Sequence, residues 1–317
     1  MNALWLENQQ LTLRSDVPMP EPPPNEALIR VVRAGICNTD LELVRGYYPY
    51  RGVLGHEFVG IVESEGVWQG RRVCGEINAA CGDCVQCRAG RNTHCDRRTV
   101  LGIVNRDGAF ADYLTLPFEN LQAVPDSVPN DEAVFTEPLA AALEITQQIQ
   151  IRPTDDVVVL GDGKLGLLCA QVLALTGCHL LALGRHPQKL AILAARGIRT
   201  ALVTEAPDLR ADVVVECTGS AEGFDLARKL LHPRGKLVLK STYAGLASVD
   251  LSRVVVDEIT VVGSRCGPFA PALDLLARKL IDVHSLIHAR YPLREGLAAM
   301  EHARQPGVLN VLLEVEG

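Results

Sequence analysis

In the second half of the chain, short apolar runs alternate with stretches of helical length and spacing. Residues 156–160, 179–183, 212–216, 236–239 and 259–262 are nearly continuous in Val, Ile and Leu. That pattern belongs to strands buried on both faces of a parallel sheet. Between them, residues 164–175, 187–195 and 221–231 have helical composition. Alternation of the two predicts a doubly wound α/β sheet. Before about residue 140 the chain reads differently, with β-like runs at 27–32, 59–62, 72–76 and 110–116 set off by turn residues. Pro18, Pro20 and the run Pro22-Pro23-Pro24 predict an extended surface connection. The tail carries helix-like stretches at 270–280 and 297–303 and a strand-like run at 308–315. It is expected to return to the mostly-β part, so that one domain comprises 1–139 and 268–317 and the other, 140–267, is inserted in it.

Composition supports an ordinary globular chain. The 317 residues are 48% apolar and 22% charged, enough for two cores. A net charge of −7 with no basic run disfavours nucleic acid as the main partner. The opening residues lack a basic region and a long apolar stretch, which predicts no secretory leader. The most apolar segment, 157–183, is broken by Asp162, Lys164, Gln171 and His179, so no membrane span is expected. A cytoplasmic protein with reduced thiols follows from these features.

Cysteine spacing changes the picture most. Cys81, Cys84, Cys87 and Cys95 form a C-x2-C-x2-C-x7-C cluster. In a chain with no sign of export this reads as a tetrahedral zinc site, with Gly82 and Gly90 easing the turns. Four thiolates leave no coordination place open, so the metal is expected to be structural. An iron–sulfur run of the bacterial type would continue with a short spacer and Cys-Pro, whereas here seven residues intervene and Asp96 follows. Upstream, Cys37 and the pair His56-Glu57 offer a thiolate, an imidazole and a carboxylate, about the three ligands of a catalytic zinc with one open place. The other five cysteines sit among apolar residues and are assigned no chemistry. A non-catalytic zinc-binding module would account for the cluster but not for Cys37, His56 and Glu57.

Gly161-Asp162-Gly163-Lys164-Leu165-Gly166 follows the 157–160 run and opens a helical pattern. Gly161 permits a tight turn, Gly163 lets a pyrophosphate approach the backbone, and Gly166 allows close helix–strand packing. Lys164 and Leu165 begin the helix whose positive end faces the phosphates. An NAD site usually has an acid at the end of the second strand, to bind the ribose 2′-hydroxyl. Here the strand ends Ala182-Leu183-Gly184-Arg185-His186. NADP is therefore expected over NAD, with Arg185 as the 2′-phosphate partner and His186 assisting. The plainer alternative makes Arg185 a solvated residue at a helix start.

Taken together, these motifs resemble the medium-chain, zinc-dependent alcohol and polyol dehydrogenase family, of the glucose and threonine dehydrogenase type, over essentially the whole chain. The family's Cys with its following Thr-Asp matches Cys37, Thr39 and Asp40, and its Gly-His-Glu matches Gly55, His56 and Glu57. Its four-cysteine lobe matches the cluster, its Glu-Pro-Leu-Ala stretch matches Glu137, Pro138, Leu139 and Ala140, and its Asp-Gly-x-Phe-Ala segment matches 107–111. The resemblance implies a GroES-like, mostly-β catalytic domain and a Rossmann-type sheet, with two zinc ions per chain. Cys37 and His56 would be permanent ligands, with Glu57 and Glu137 as alternating carboxylates. Asp40 would set the His56 tautomer, and Thr39 would carry the substrate proton. The implied reaction is reversible hydride transfer between an alcohol, polyol or sugar hydroxyl and NAD(P). A homodimer or homotetramer is implied through the strand at 259–263. Three departures stand out: Glu42 where many members have histidine, Gln69 where an apolar residue is usual, and a short 57–81 segment. A zinc-free quinone or enone reductase of the same superfamily is the enzymatic rival.

Overall fold

A computed structural model describes residues 1–206, 209–242 and 249–315. The chain divides into two compact units, Met1–Glu137 with Phe269–Gly317, and Pro138–Pro268.

The second unit is a six-stranded sheet whose neighbouring strands are all parallel. Its spatial order is Arg199–Leu202, His179–Gly184, Asp156–Leu160, Ala211–Glu216, Leu231–Leu239, Thr260–Gly263. In chain order that is 3-2-1-4-5-6, the doubly wound arrangement with its switch point between the first and fourth strands. Val158, Leu160, Leu181, Leu183, Val214 and Leu237 build its core beneath the flanking helices. Each such side chain contributes about 1.5–3 kcal/mol by leaving water. Helices Lys164–Ala174, Pro187–Ala194 and Ala221–Lys229 occupy the expected stretches. Some elements here do not show in the apolar pattern, helix Leu251–Val256 among them. Arg199–Leu202 is an edge strand with an exposed, polar start, and helix Thr136–Gln148 lies across the presumed boundary.

In the first unit a seven-stranded sheet runs Leu121–Ala123, Arg72–Gly75, Glu57–Val62, Glu26–Gly35, Asn310–Glu314, Ile287–Pro292, with Tyr113–Pro117 also on Glu26–Gly35. The tail strand Asn310–Glu314 pairs antiparallel with the end of Glu26–Gly35. Ile29, Val31, Val59, Leu114 and Leu116 are fully buried on this sheet. The strand expected at 110–116 begins only at Tyr113, because residues before it turn away to bind another loop. Hairpin Ala3–Glu7/Gln10–Arg14 was not expected, since its turn residues Asn8 and Gln9 carry no glycine although both have positive φ. Among the described residues no helix is long and apolar enough to cross a membrane.

Candidate active site

Two neighbouring antiparallel strands deliver the proposed metal ligands. Glu26–Gly35 runs out into Ile36 and Cys37, and Glu57–Val62 starts directly opposite, with Gly35 paired to Glu57. A bulge between Val31 and Arg33 re-phases the first strand just before this end. The turn ahead of His56 requires glycine, because Gly55 has φ +95° and a Cβ there would stand 2.3 Å from the Phe110 ring. Residues 107–110 wrap that turn. Asp107 Oδ1 accepts the Val53 N–H at 2.9 Å, and the Gly108, Ala109 and Phe110 N–H groups donate to Val53, Gly55 and Leu54 carbonyls at 2.8 Å each. The Asp-Gly-x-Phe-Ala stretch is thus a buttress beneath His56.

One ligand atom each from Cys37, His56 and Glu57 lies within 4.8 Å of the others. His56 and Glu57 are 3% and 0% exposed. Cys37 stands at the N-cap of helix Asn38–Val44. Thr39 Oγ1 is 3.7 Å from Cys37 Sγ. Asp40, fully buried, binds both ligand segments: Oδ2 accepts the Cys37 N–H at 2.8 Å, and Oδ1 lies 3.2 Å from His56 Nδ1. Burial opposes protonation of His56 most strongly, yet the Asp40 carboxylate and the Cys37 thiolate outweigh it and hold the imidazole well above its ordinary range. The mixture of sulfur, nitrogen and oxygen donors suits zinc. Glu137 is half-buried in the first turn of helix Thr136–Gln148 and is not part of this trio.

Asp40→Asn is expected to weaken zinc binding at the trio by about 10–100-fold, as loss of an outer partner does. Competition with a chromophoric chelator measures it; an unchanged metal dissociation constant would show that Asp40 does not orient His56.

Neighbouring side chains are committed elsewhere. The Glu42 carboxylate accepts the Arg45 guanidinium at 2.6 Å. Tyr50 is buried, its hydroxyl 2.7 Å from Val53 O and 2.9 Å from Arg106 O, so it is a packing residue. Tyr47 and Tyr48 are exposed.

The second cysteine set also converges. Sγ separations are 3.4 Å for Cys81–Cys95, 3.5 Å for Cys84–Cys87, 3.8 Å for Cys84–Cys95 and 4.0 Å for Cys81–Cys87. Thiolates at about 2.3 Å from one tetrahedral ion stand about 3.8 Å apart, so the cluster fits zinc without rearrangement. Backbone N–H groups of Cys81 and Arg97 both reach Cys95 Sγ at 3.3 Å, and the Arg97 guanidinium reaches Cys81 Sγ at 3.3 Å. Backbone N–H groups of Cys87 and Asp96 bring the Cys84 thiol down to about 6, whereas desolvation and the adjacent sulfurs push Cys87 up to about 12.

In the second unit, a cavity of about 340 Å³ is lined by Gly161, Asp162, Gly163, Gly184, Arg185 and His186, with Lys189, Thr218, Ser220 and Glu222 among its other walls. Nothing lies within 4 Å of where a Gly163 Cβ would stand, while a Gly166 Cβ would be 2.1 Å from Gly161 O. The turn is open on the ligand side and closed on the packing side, as a pyrophosphate cradle requires. Lys164, Leu165 and Gly166 do not line the cavity; Lys164 and Leu165 begin the helix behind it. Asp162 was not anticipated as part of the site. Its carboxylate sits at the end of the second strand, 2.5 Å from where a Gly184 Cβ would be, and accepts the Arg185 and His186 N–H groups at 2.6 Å each. Burial works against its ionisation, but those N–H groups and the His186 ring outweigh it and hold the carboxyl below its usual range. The only hint was an acid inside a glycine-rich turn, and spacing does not say where its side chain goes.

Two family models match the chain: alcohol dehydrogenase GroES-like domain over residues 23–126 and zinc-binding dehydrogenase over residues 165–278. A sorbitol dehydrogenase from Halalkalibacterium halodurans is 33% identical over 321 residues, covering 93% of each chain. The chain belongs to the zinc-binding dehydrogenases. A putative zinc-binding dehydrogenase from Sinorhizobium meliloti 1021, solved bound to NADP, is 30% identical with a TM-score of 0.89 over 99% of this chain and 98% of that one. Alcohol dehydrogenase TADH from Thermus sp. ATN1 is also 30% identical, with a TM-score of 0.89 over the full length of both. The expected family and fold class are borne out: this dehydrogenase is an α/β protein with a GroES-like domain and a Rossmann-type sheet. It is an NAD(P)-dependent oxidoreductase of the alcohol and polyol class.

Proposed function

We propose that Cys37 and His56 hold a catalytic zinc with Glu57 and Glu137 as alternating carboxylate ligands, and that Cys81, Cys84, Cys87 and Cys95 hold a second, structural zinc. The reading rests on one observation, the buried convergence of three unlike donors around Asp40. A zinc-free enone reductase has no use for such a trio. When bound, the catalytic zinc supplies Lewis-acid polarisation of a substrate oxygen, and the nicotinamide supplies the hydride acceptor or donor. The chain's own residues do the rest. Asp40 fixes His56 and the Cys37 backbone, and Thr39 receives the substrate hydroxyl proton beside Cys37. Glu42 is occupied by Arg45 and is left out of the relay. The first unit is the catalytic domain and the second the dinucleotide-binding domain. Substrates are alcohol, polyol or sugar hydroxyls.

NADP is the preferred dinucleotide. Arg185 is exposed on the cavity wall, and Asp162 Oδ2 is engaged by two backbone N–H groups. The NADP bound to the Sinorhizobium relative is consistent with this. A panel of alcohols, polyols and sugars with NAD and with NADP, followed at the nicotinamide absorbance together with zinc content, tests the whole reading; metal-independent turnover would overturn it. Arg185→Ala is expected to raise KM for NADP about tenfold or more and to change KM for NAD less than about twofold. Equal effects on both would remove Arg185 from 2′-phosphate recognition.

The protein works as a homodimer or a tetramer built from such dimers. Among the described residues Thr260–Gly263 is a sheet edge, and Leu251, Val255 and Val256 beside it in sequence are 67%, 74% and 71% exposed, a surface that a second copy would cover. All ten cysteines are unbridged, in keeping with a reducing, cytoplasmic setting.

A further inference from the structure

Cys169 and Cys217 read in the sequence as inert thiols among apolar residues, yet the fold sets them side by side. Cys169 lies in helix Lys164–Ala174, about one turn beyond Gly166. Cys217 follows directly on strand Ala211–Glu216, and its N–H donates to Leu160 O at 2.8 Å. The Cys217 thiol donates to the Cys169 sulfur. Cys169 is fully buried, whereas Cys217 is half-buried and lines the dinucleotide cavity. One thiol in reach of a cavity and a second directly behind it is the arrangement of an attacking and a resolving sulfur.

A buried cation acts on the pair. Lys240, 8% exposed, donates from Nζ to Ala141 O at 2.6 Å, Ser264 Oγ at 3.1 Å and Arg265 O at 3.2 Å. All three acceptors are uncharged, and the ammonium field favours a thiolate at either sulfur. The hydrogen bond from Cys217, helped by that field, brings Cys169 below the usual thiol range against the pull of burial. The same bond and burial hold Cys217 well above it, so the pair gives up one proton more easily than a second.

The surrounding backbone determines what a bond between these sulfurs would do. Cys217 O lies 2.7 Å and Cys217 Cβ 3.2 Å from where a Gly161 Cβ would stand, and Cys217 Cβ is 3.4 Å from the Gly166 position. Strand end, glycine turn and helix start are therefore packed with no slack. A disulfide of about 2.05 Å is shorter than any hydrogen-bonded sulfur contact. Forming one draws the helix and the strand end together at the turn that cradles the pyrophosphate.

Resting on the dinucleotide site proposed above, we propose that Cys169 and Cys217 are a reversible thiol–disulfide pair whose oxidation by hydrogen peroxide closes the cavity to the dinucleotide. The Cys217 sulfur attacks one peroxide oxygen; an S–O bond forms, the O–O bond breaks, and the leaving oxygen takes a proton and departs as water. The Cys169 sulfur then attacks the Cys217 sulfur; the S–S bond forms and the S–O bond breaks, releasing a second water. Two thiols lose two electrons and two protons, and the peroxide is reduced to two waters. A dithiol reverses the bond by exchange.

The test treats the whole zinc-loaded protein with hydrogen peroxide and then removes the excess. Calorimetry measures NADPH and NADH affinity, and peptide mass spectrometry without reductant measures the 169–217 linkage. The linkage is expected to form, to lower affinity for both dinucleotides about tenfold or more, and to reverse with dithiothreitol. Saturating dinucleotide during treatment should slow its formation about tenfold, because access to Cys217 is through the cavity. Cys169→Ser, altered away from the cavity, should bind within about twofold of the wild type and lose less than about twofold on treatment. That variant also separates the effect from oxidation of the zinc ligands, and Cys169→Ala replaces it should it fail to fold. Equal loss of affinity in the variant would overturn the proposal. So would oxidation of other thiols without the 169–217 linkage, or a linkage that leaves affinity unchanged. If the reduced protein binds neither dinucleotide, the cavity assignment itself fails and the closing role falls with it; the linkage, read by mass alone, tells the two failures apart.

Discussion

Cys37→Ser is expected to lower kcat/KM for alcohol oxidation by about 10³-fold or more, with the four-cysteine zinc still in place. A serine hydroxyl does not ionise near neutral pH and is a poor ligand for an ion that prefers sulfur and nitrogen. Without a thiolate at the helix start, His56 and Glu57 alone make a weak site, and polarisation of the substrate oxygen goes with the metal. That polarisation is worth several kcal/mol, and each 1.4 kcal/mol is about a factor of ten in rate. The substitution removes little packing volume, and Asp40 Oδ2 can still accept the residue 37 N–H, so the fold should persist. Elemental analysis should find about one zinc per chain, and calorimetry should find dinucleotide binding unchanged. Turnover near the wild-type level with one zinc missing would overturn the assignment of the trio.

Much of the fold can be read from the apolar pattern because buried parallel strands leave little ambiguity. Asp156–Leu160 and Ala211–Glu216 are apolar on both faces, and glycine or helical residues bracket them. Elements held by other means do not announce themselves. The hairpin turn at Asn8 and Gln9 uses positive φ without glycine, and Arg199–Leu202 has a polar edge. The candidate donors stood out in the sequence for the same reason that the strands did: Cys, His and Glu are rare together at such spacings. Their joint geometry did not. That a bulge at Val31/Arg33 brings Gly35 opposite Glu57, or that residues 107–110 buttress His56, depends on pairings far apart in sequence. Asp162 shows the limit most clearly. The second strand lacks an acid of its own, which pointed towards NADP, but an acid from the preceding turn occupies that place and is satisfied by backbone donors. The absence of an acid in the strand and the presence of one in space are both correct. Only the carboxylate's partners tell them apart.

Cys95→Ala is expected to release about one zinc per chain and to unfold the 78–100 lobe while the two sheets remain. This stretch has little else to hold it: its strands, Asn78–Ala79 and Thr99–Val100, are two residues each, and Val85 is 63% exposed. An apolar core cannot form from so few buried side chains, which leaves the proposed structural zinc as the crosslink under test. Cys95 is the buried member of the cluster, and two backbone N–H groups, of Cys81 and Arg97, depend on its sulfur. Alanine removes a ligand and both acceptor contacts at once, and three thiolates then share the ion with water. Limited proteolysis should nick the variant between residues 81 and 97 at a rate at least about tenfold above wild type, as expected where local opening loses more than 1.4 kcal/mol of protection. Chelator treatment of the wild type should produce the same fragments. If the variant keeps both metals or resists the protease as the wild type does, the cluster is not the crosslink that holds this lobe.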